Sequence, residues 1–267
     1  MPPLDELAET NRRRWNALAS ANVMYSQPWL DLTRDNARER IDPTRVLGDL
    51  SGQRVLCLAA SAGQQAAAFA LLDAEVTVFD LSDVQLARDR ATAAHYGLAI
   101  ETVQGDMRDL SAFADDSFDI VYQAYSINFV PSVAPVFEEV RRVLRPHGVY
   151  RLQWSNPFTQ LADDNWTGNG YLLRHIYEDG RDISEVYPNW ILDGNDGPGQ
   201  ELPSPHEFVH ALSTVVNTLA ANHFVITHCA EDRGSDPTAP AGTWPHFMAV
   251  AALYLTFWTQ YRPDLLP

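Results

Sequence analysis

Basic residues are scarce in this chain: 19 Lys and Arg stand against 35 Asp and Glu, a net charge of -16 over 267 residues. Phosphate recognition needs clustered cations, so this balance argues against a nucleic-acid partner. A polybasic patch for a membrane surface is equally unsupported. The acidity instead suits a chain kept in solution by its own charge. Cysteine is nearly missing too. Only Cys57 and Cys229 occur, both in apolar strand-like runs, which reads as two buried free thiols in a reducing compartment. Neither lies in the electropositive setting of a nucleophile. No apolar run approaches the roughly 20 residues of a membrane span. The opening MPPLDELAET is acidic and lacks the apolar core of a signal peptide. These absences together point to a cytoplasmic protein. Internal repeats and low-complexity tracts are absent as well.

What is present is a core. Hydrophobic residues make up 46% of the chain, enough for one α/β domain with additions. The organising stretch is Arg54 to Gln65, RVLCLAASAGQQ, followed by EVTVFD from Glu75 to Asp80. An apolar run (Val55, Leu56, Cys57, Leu58) breaks into the small residues Ala59 to Gly63, and a helical pattern then begins. Strand, tight turn and helix start are where an open α/β sheet binds a nucleotide-like ligand. Asp80 ends the second apolar strand, 17 residues beyond Gly63, close to the roughly 20 at which an acidic residue takes ribose hydroxyls.

Further along, the elements alternate. Ser82-Asp83-Val84-Gln85 is a capping box opening a helix to about Tyr96, with Gly97 at its C′ position. Strands are expected at 100–103, 118–122 and 149–154, a helix at about 134–144 with Pro135 near its start, a helix over 204–222, a strand at 224–229 and a last one over 247–257. Regular alternation of this kind implies a parallel, doubly wound sheet.

These segments resemble the motifs of class I S-adenosylmethionine-dependent methyltransferases. Gly105-Asp106-Met107 resembles the family's adenine-contact turn, Ser117 to Val130 its fourth strand and following loop, and Glu138 to Gly148 the helix and turn before its fifth strand. The match covers about residues 51–155. It departs at the first motif: where the family shows Gly-x-Gly-x-Gly after an acidic strand residue, this chain has Ala59, Ser61 and Gly63, and Cys57 replaces the acid. Ala or Ser is short enough for ligand approach wherever φ stays negative, and Gly63 takes the strictest position. The resemblance implies a Rossmann-like, doubly wound seven-stranded sheet, mostly parallel with an antiparallel last strand. Residues 1–50 would be a helical N-terminal cap and 51–267 the methyltransferase domain, with 155–203 an insertion after the fifth strand serving as lid and substrate wall.

The resemblance also implies S-adenosyl-L-methionine as cofactor and a small-molecule methyl acceptor, and it admits a homodimer. It assigns the cofactor to Tyr25, Ala59, Ala60, Ser61, Gly63, Gln64, Asp80, Leu81, Ser82, Gln85, Asp106, Met107 and Ala124. Trp15, Tyr25 and Trp29 are the aromatics available to close over its methionine end. Acceptor-side candidates are Asn128, Tyr125 and His246, with His175 and Tyr177 further options. The expected reaction is in-line methyl transfer to a small apolar or aromatic molecule. Alternatives are a non-catalytic module whose altered loop no longer binds the cofactor, and a zinc hydrolase. The latter rests on His206-Glu207-Phe208-Val209-His210, a literal H-E-x-x-H. Ser204, Pro205 and Glu207 give that stretch a different explanation, as N-cap, N1 and N3 of a capping box. Asp193-Gly194-Asn195-Asp196-Gly197 resembles a calcium loop but lacks its register.

Overall fold

The computed structural model describes residues 4–60, 62–194, 197–232, 236 and 238–265. Seven strands form one sheet: β1 (Arg54–Leu58), β2 (Glu75–Asp80), β3 (Ile100–Gln104), β4 (Phe118–Gln123), β5 (Leu144–Ser155), β6 (Phe224–Asp232) and β7 (Tyr254–Tyr261). Their order is β6-β7-β5-β4-β1-β2-β3. Strands β1 to β5 pair in parallel, with Val55 opposite both Val76 and Ile120. Strand β7 runs antiparallel to β5 and to β6. This is the expected doubly wound sheet with its reversed last strand.

Both faces of the sheet are covered, as parallel strands require. The helices are α1 (Glu6–Ser20), α2 (Arg34–Ile41), α3 (Gln65–Leu71), α4 (Asp83–Tyr96), α5 (Ala134–Val143), α6 (Leu212–Ala221) and α7 (Trp244–Val250). Alternation along β1 splits the core in two. Leu56 and Leu58 join Val121, Leu152 and Trp154 under α5 and α6. Val55 and Cys57 join Val78, Ile120 and Tyr122 under α2, α3 and α4. The chain moves outward from β1 to β3, then returns to β4 on the other side of β1. The carboxyl ends of β1 and β4 therefore flank a topological switch point, where such sheets leave a crevice.

Local signals hold in several places. The Ser82 side chain caps α4 by accepting from Gln85 N, and Gly97 ends the helix at φ 66°. In other places tertiary contacts override them. The helix expected over 204–222 begins only at Leu212, and residues 204–211 run outside it. Ser204 does not cap: its hydroxyl donates to the Tyr187 carbonyl at 2.5 Å. The strand expected over 247–257 is two elements, α7 and then β7, because Thr243 caps α7 through His246 N and Pro245 sits in its first turn. Cys57 is buried as expected, but Cys229 is exposed, since alternate residues of β6 point away from the core. The insertion carries two short hairpins, Ala162–Asp163 with Leu172–Leu173 and Asn189–Gly194 with Gly197–Pro203. Asn195 and Asp196 of the calcium-like stretch lie outside the described residues, as does Ser61. Among the described residues no helix is long and apolar enough to cross a membrane.

Candidate active site

The crevice at the switch point is a real cavity. The ends of β1, β2, β3 and β4 form its floor through Ala59, Ala60, Asp80, Leu81, Gly105, Asp106, Met107, Tyr125 and Ser126. Helix α1 roofs it with Leu7, Ala8, Asn11 and Trp15, while Gln85 of α4 reaches in from the side.

The loop after β1 shows how a chain with one glycine makes this turn. Gly63 has φ 73°, and a Cβ there would sit 2.1 Å from Thr92 Oγ1, so both backbone and packing demand glycine. Its N–H donates to Asp89 Oδ1 at 2.5 Å. Ala59 departs from expectation. Its φ is 46°, a left-handed conformation that costs about 1–2 kcal/mol for an L-residue. The Ala59 N–H bonds the Phe79 carbonyl at 2.7 Å, tying the turn to β2. Asp89 is buried, its Oδ2 has no hydrogen-bond partner among the described residues, and burial raises its pKa well above the usual carboxylate range.

Asp80 closes β2 at the cavity floor. Its Oδ1 accepts from Ser82 N at 2.8 Å. Burial pushes its pKa up to about 7, against the pull of the Ser82 and Leu81 N–H groups. Asp106 also lines the cavity, yet its carboxylate carries a salt bridge. Arg108 Nε lies 3.0 Å from both Asp106 oxygens, and the same guanidinium reaches Asp5, the N-cap of α1, at 2.8 Å. Asn11 fastens the middle of α1: its amide donates to the Phe129 and His206 carbonyls and accepts from His206 N at 2.7 Å.

Of the residues named from sequence, Ala59, Ala60, Asp80, Leu81, Gln85, Asp106, Met107, Tyr125 and Trp15 line this cavity. Tyr25, Gly63, Gln64, Ser82 and Ala124 are not among its lining residues. The Gln64 amide is engaged within the fold, donating to the Tyr25 and Gln27 carbonyls. Trp29 packs on the domain beneath Arg40. Asn128 is displaced from its expected acceptor-side role. It is fully buried, donating to the Phe208 carbonyl at 2.9 Å and accepting from Ser155 N at 3.0 Å. His246 lies on α7, bonded through Nδ1 to the Tyr171 hydroxyl at 2.7 Å and packed edge-on against Trp166. These insertion aromatics thus brace α7. Tyr177 stacks on Phe158.

The H-E-x-x-H residues take separate tasks, because 206–210 is not helical and its histidines share no helix face. His206 Nδ1 meets Asp182 at 2.7 Å, and His210 Nε2 bonds the Ile127 carbonyl at 3.0 Å. Glu207, read from sequence as part of a helix cap, instead accepts from the Tyr125 hydroxyl and from Gln160 Nε2 at 3.0 Å. Burial raises its pKa. The roof residues Leu7 and Asn11, not named from sequence, were discoverable: spacings of four place them on one face of α1 with Trp15.

Comparison with known proteins agrees with this geometry. Residues 56–152 match a methyltransferase domain family. An uncharacterized methyltransferase of Bacillus subtilis, YbaJ, is 35% identical over 188 residues, covering 69% of this chain and 71% of that one. A demethylmenaquinone methyltransferase of Clavibacter sepedonicus is 36% identical over 124 residues, 46% of this chain and 50% of its own length. The crystal structure of an S-adenosylmethionine-dependent methyltransferase from Mesorhizobium loti superposes with a TM-score of 0.63 at 21% identity, covering 85% of this chain and 100% of that one.

Proposed function

The chain belongs to the class I S-adenosylmethionine-dependent methyltransferases, and on that premise we propose that it methylates a small molecule with an apolar or aromatic body. The residues present fit the cofactor. Asp80 is a half-buried carboxylate at the cavity floor, suited to ribose hydroxyls, and Gln85, which lines the cavity, holds a buried Oε1 with no partner among the described residues. When bound, S-adenosylmethionine supplies the methyl group on a sulfonium that leaves as neutral S-adenosylhomocysteine. The chain's part is alignment: Asp80, Ala59 and Ala60 would hold one end of it, and α1 would cover it from water.

The observation that carries the acceptor reading is the ring wall at the β4 end of the cavity. Trp15, Phe129 and Tyr125 line it in a continuous series of edge-to-face contacts with centroids 5.0 and 5.7 Å apart, and Tyr254 backs Tyr125 at 5.2 Å. Such walls favour flat apolar bodies. The net charge of -16 weighs against a nucleic-acid acceptor. The test is transfer of labelled methyl from S-adenosylmethionine to a panel of phenols, quinols, amines and basic peptides. Label entering the aromatic small molecules is expected. Label confined to peptides would refute the proposal.

A further inference from the structure

Glu207 has no fold-level task that needs a carboxylate. The segment around it is not helical, so it caps nothing, and its side-chain partners, Tyr125 and Gln160, are both neutral. A largely enclosed acid with no cationic partner among the described residues is costly. It is also held in place. Ile183 N donates to the Glu207 carbonyl at 2.8 Å, and the Tyr125 phenol, already 2.7 Å from Ser155 Oγ, donates to its carboxylate. Tyr125 is the one of these four side chains that lines the cavity.

We propose that Tyr125 and Glu207 form a proton relay for the methyl acceptor, and that the acceptor atom is therefore an acidic hydroxyl on an aromatic ring. The proposal rests on the methyltransferase reading above. Tyr125 is the catalytic residue, touching the acceptor hydroxyl. Glu207 is a positioning residue that acts through it. The acceptor proton passes to the Tyr125 oxygen while the phenol's own proton moves onto the Glu207 carboxylate. The acceptor oxygen then forms its bond to the methyl carbon as the carbon–sulfur bond breaks and its electron pair stays on sulfur. Glu207 afterwards returns the proton to solvent.

The surroundings match this chemistry. Tyr125 donates to Glu207, Tyr25, Tyr187 and Tyr254 lie within its electrostatic reach, and among the described residues the charge of the insertion that acts on it is Asp182, itself paired to His206. Burial, with Asp182 adding to it, raises the Glu207 pKa from the usual carboxylate range, which moves a weak base toward the working pH. A carboxylate base suits a phenol-like hydroxyl and falls short for an aliphatic alcohol. A neutral ring also enters the Trp15–Phe129–Tyr125 wall without a charge to desolvate.

The test uses para-nitrophenol, whose visible spectrum distinguishes phenol from phenolate. Added to protein saturated with S-adenosylhomocysteine, it should bind and show the phenolate band at a pH where the free probe is mainly neutral. Glu207→Gln should bind S-adenosylhomocysteine normally yet leave the probe as phenol, and Tyr125→Phe should do the same. With S-adenosylmethionine, Glu207→Gln should lower kcat on the probe by about 100-fold with little change in KM, and it should abolish the wild-type fall in rate toward acid pH. An unchanged band and acid limb in both variants would overturn the relay. Binding of S-adenosylhomocysteine without any binding of the probe would overturn the acceptor class. Loss of S-adenosylhomocysteine binding in the wild type would strike the methyltransferase reading itself.

Discussion

Binding of S-adenosylhomocysteine should tighten as pH rises, through Asp80. In the free protein burial holds this carboxyl at about pKa 7, whereas ribose hydroxyls donate best to the ionised form. Below pH 7 the group carries a proton that ligand binding must expel. The apparent dissociation constant then scales as one plus ten to the power of the pKa minus the pH. At pH 5 that is a loss of about 100-fold, or about 2.7 kcal/mol, at pH 6 about tenfold, and above pH 8 almost nothing. The folding linkage has the same origin and the opposite sense. With its folded pKa raised, Asp80 binds a proton more tightly in the native state, so its contribution to stability is greatest in acid and declines between the ordinary carboxylate range and about pH 7. Calorimetric titration of wild type and Asp80→Asn across this range is the assay. The wild type should follow the curve, and the Asn variant should be weaker and nearly flat. A flat wild-type profile, or a slope that survives in Asp80→Asn, would refute the assignment.

Two further outcomes follow from the loop and the roof. Arg108→Ala removes the link from α1 to the cavity floor, where the Asp106 contact is partly buried and the Asp5 contact half exposed, so about 1–3 kcal/mol of local stability is at stake; amide exchange in residues 6–20 should quicken and cofactor release accelerate severalfold, and unchanged protection would count against a latched roof. Gly63→Ala combines a positive φ with overlap on Thr92 and should lower unfolding stability by about 2–4 kcal/mol; Thr92→Ala in the same chain should restore the overlap part but not the φ part, as read by urea denaturation.

The sheet was legible because its signals are local. Val55 to Leu58, Val76 to Phe79 and Phe118 to Tyr122 are short apolar runs bounded by turn residues, and Asp80 stands at the end of one of them. Ser82 and Gly97 likewise did what their side chains and φ preferences dictate. The 204–211 segment was misread for a physical reason: Ser204 and Glu207 carry the chemistry of a capping box, but Tyr187 and Tyr125, distant in sequence, offer those groups partners elsewhere. Periodicity cannot separate a short apolar helix from a strand, so the 247–257 run concealed the break between α7 and β7. Asn128 and Asp89 had no local signal at all. Their roles depend on partners 27, 80 and 26 residues away in sequence.

The most direct test of the account is the crystal structure of the complex with S-adenosylhomocysteine. It should show the ribose hydroxyls on Asp80, the adenine beside Asp106 and Met107, α1 closed above them, and the sulfur directed toward Tyr125 and the Phe129 ring. A ligand bound with its ribose away from Asp80, or with its sulfur facing away from Tyr125, would contradict it.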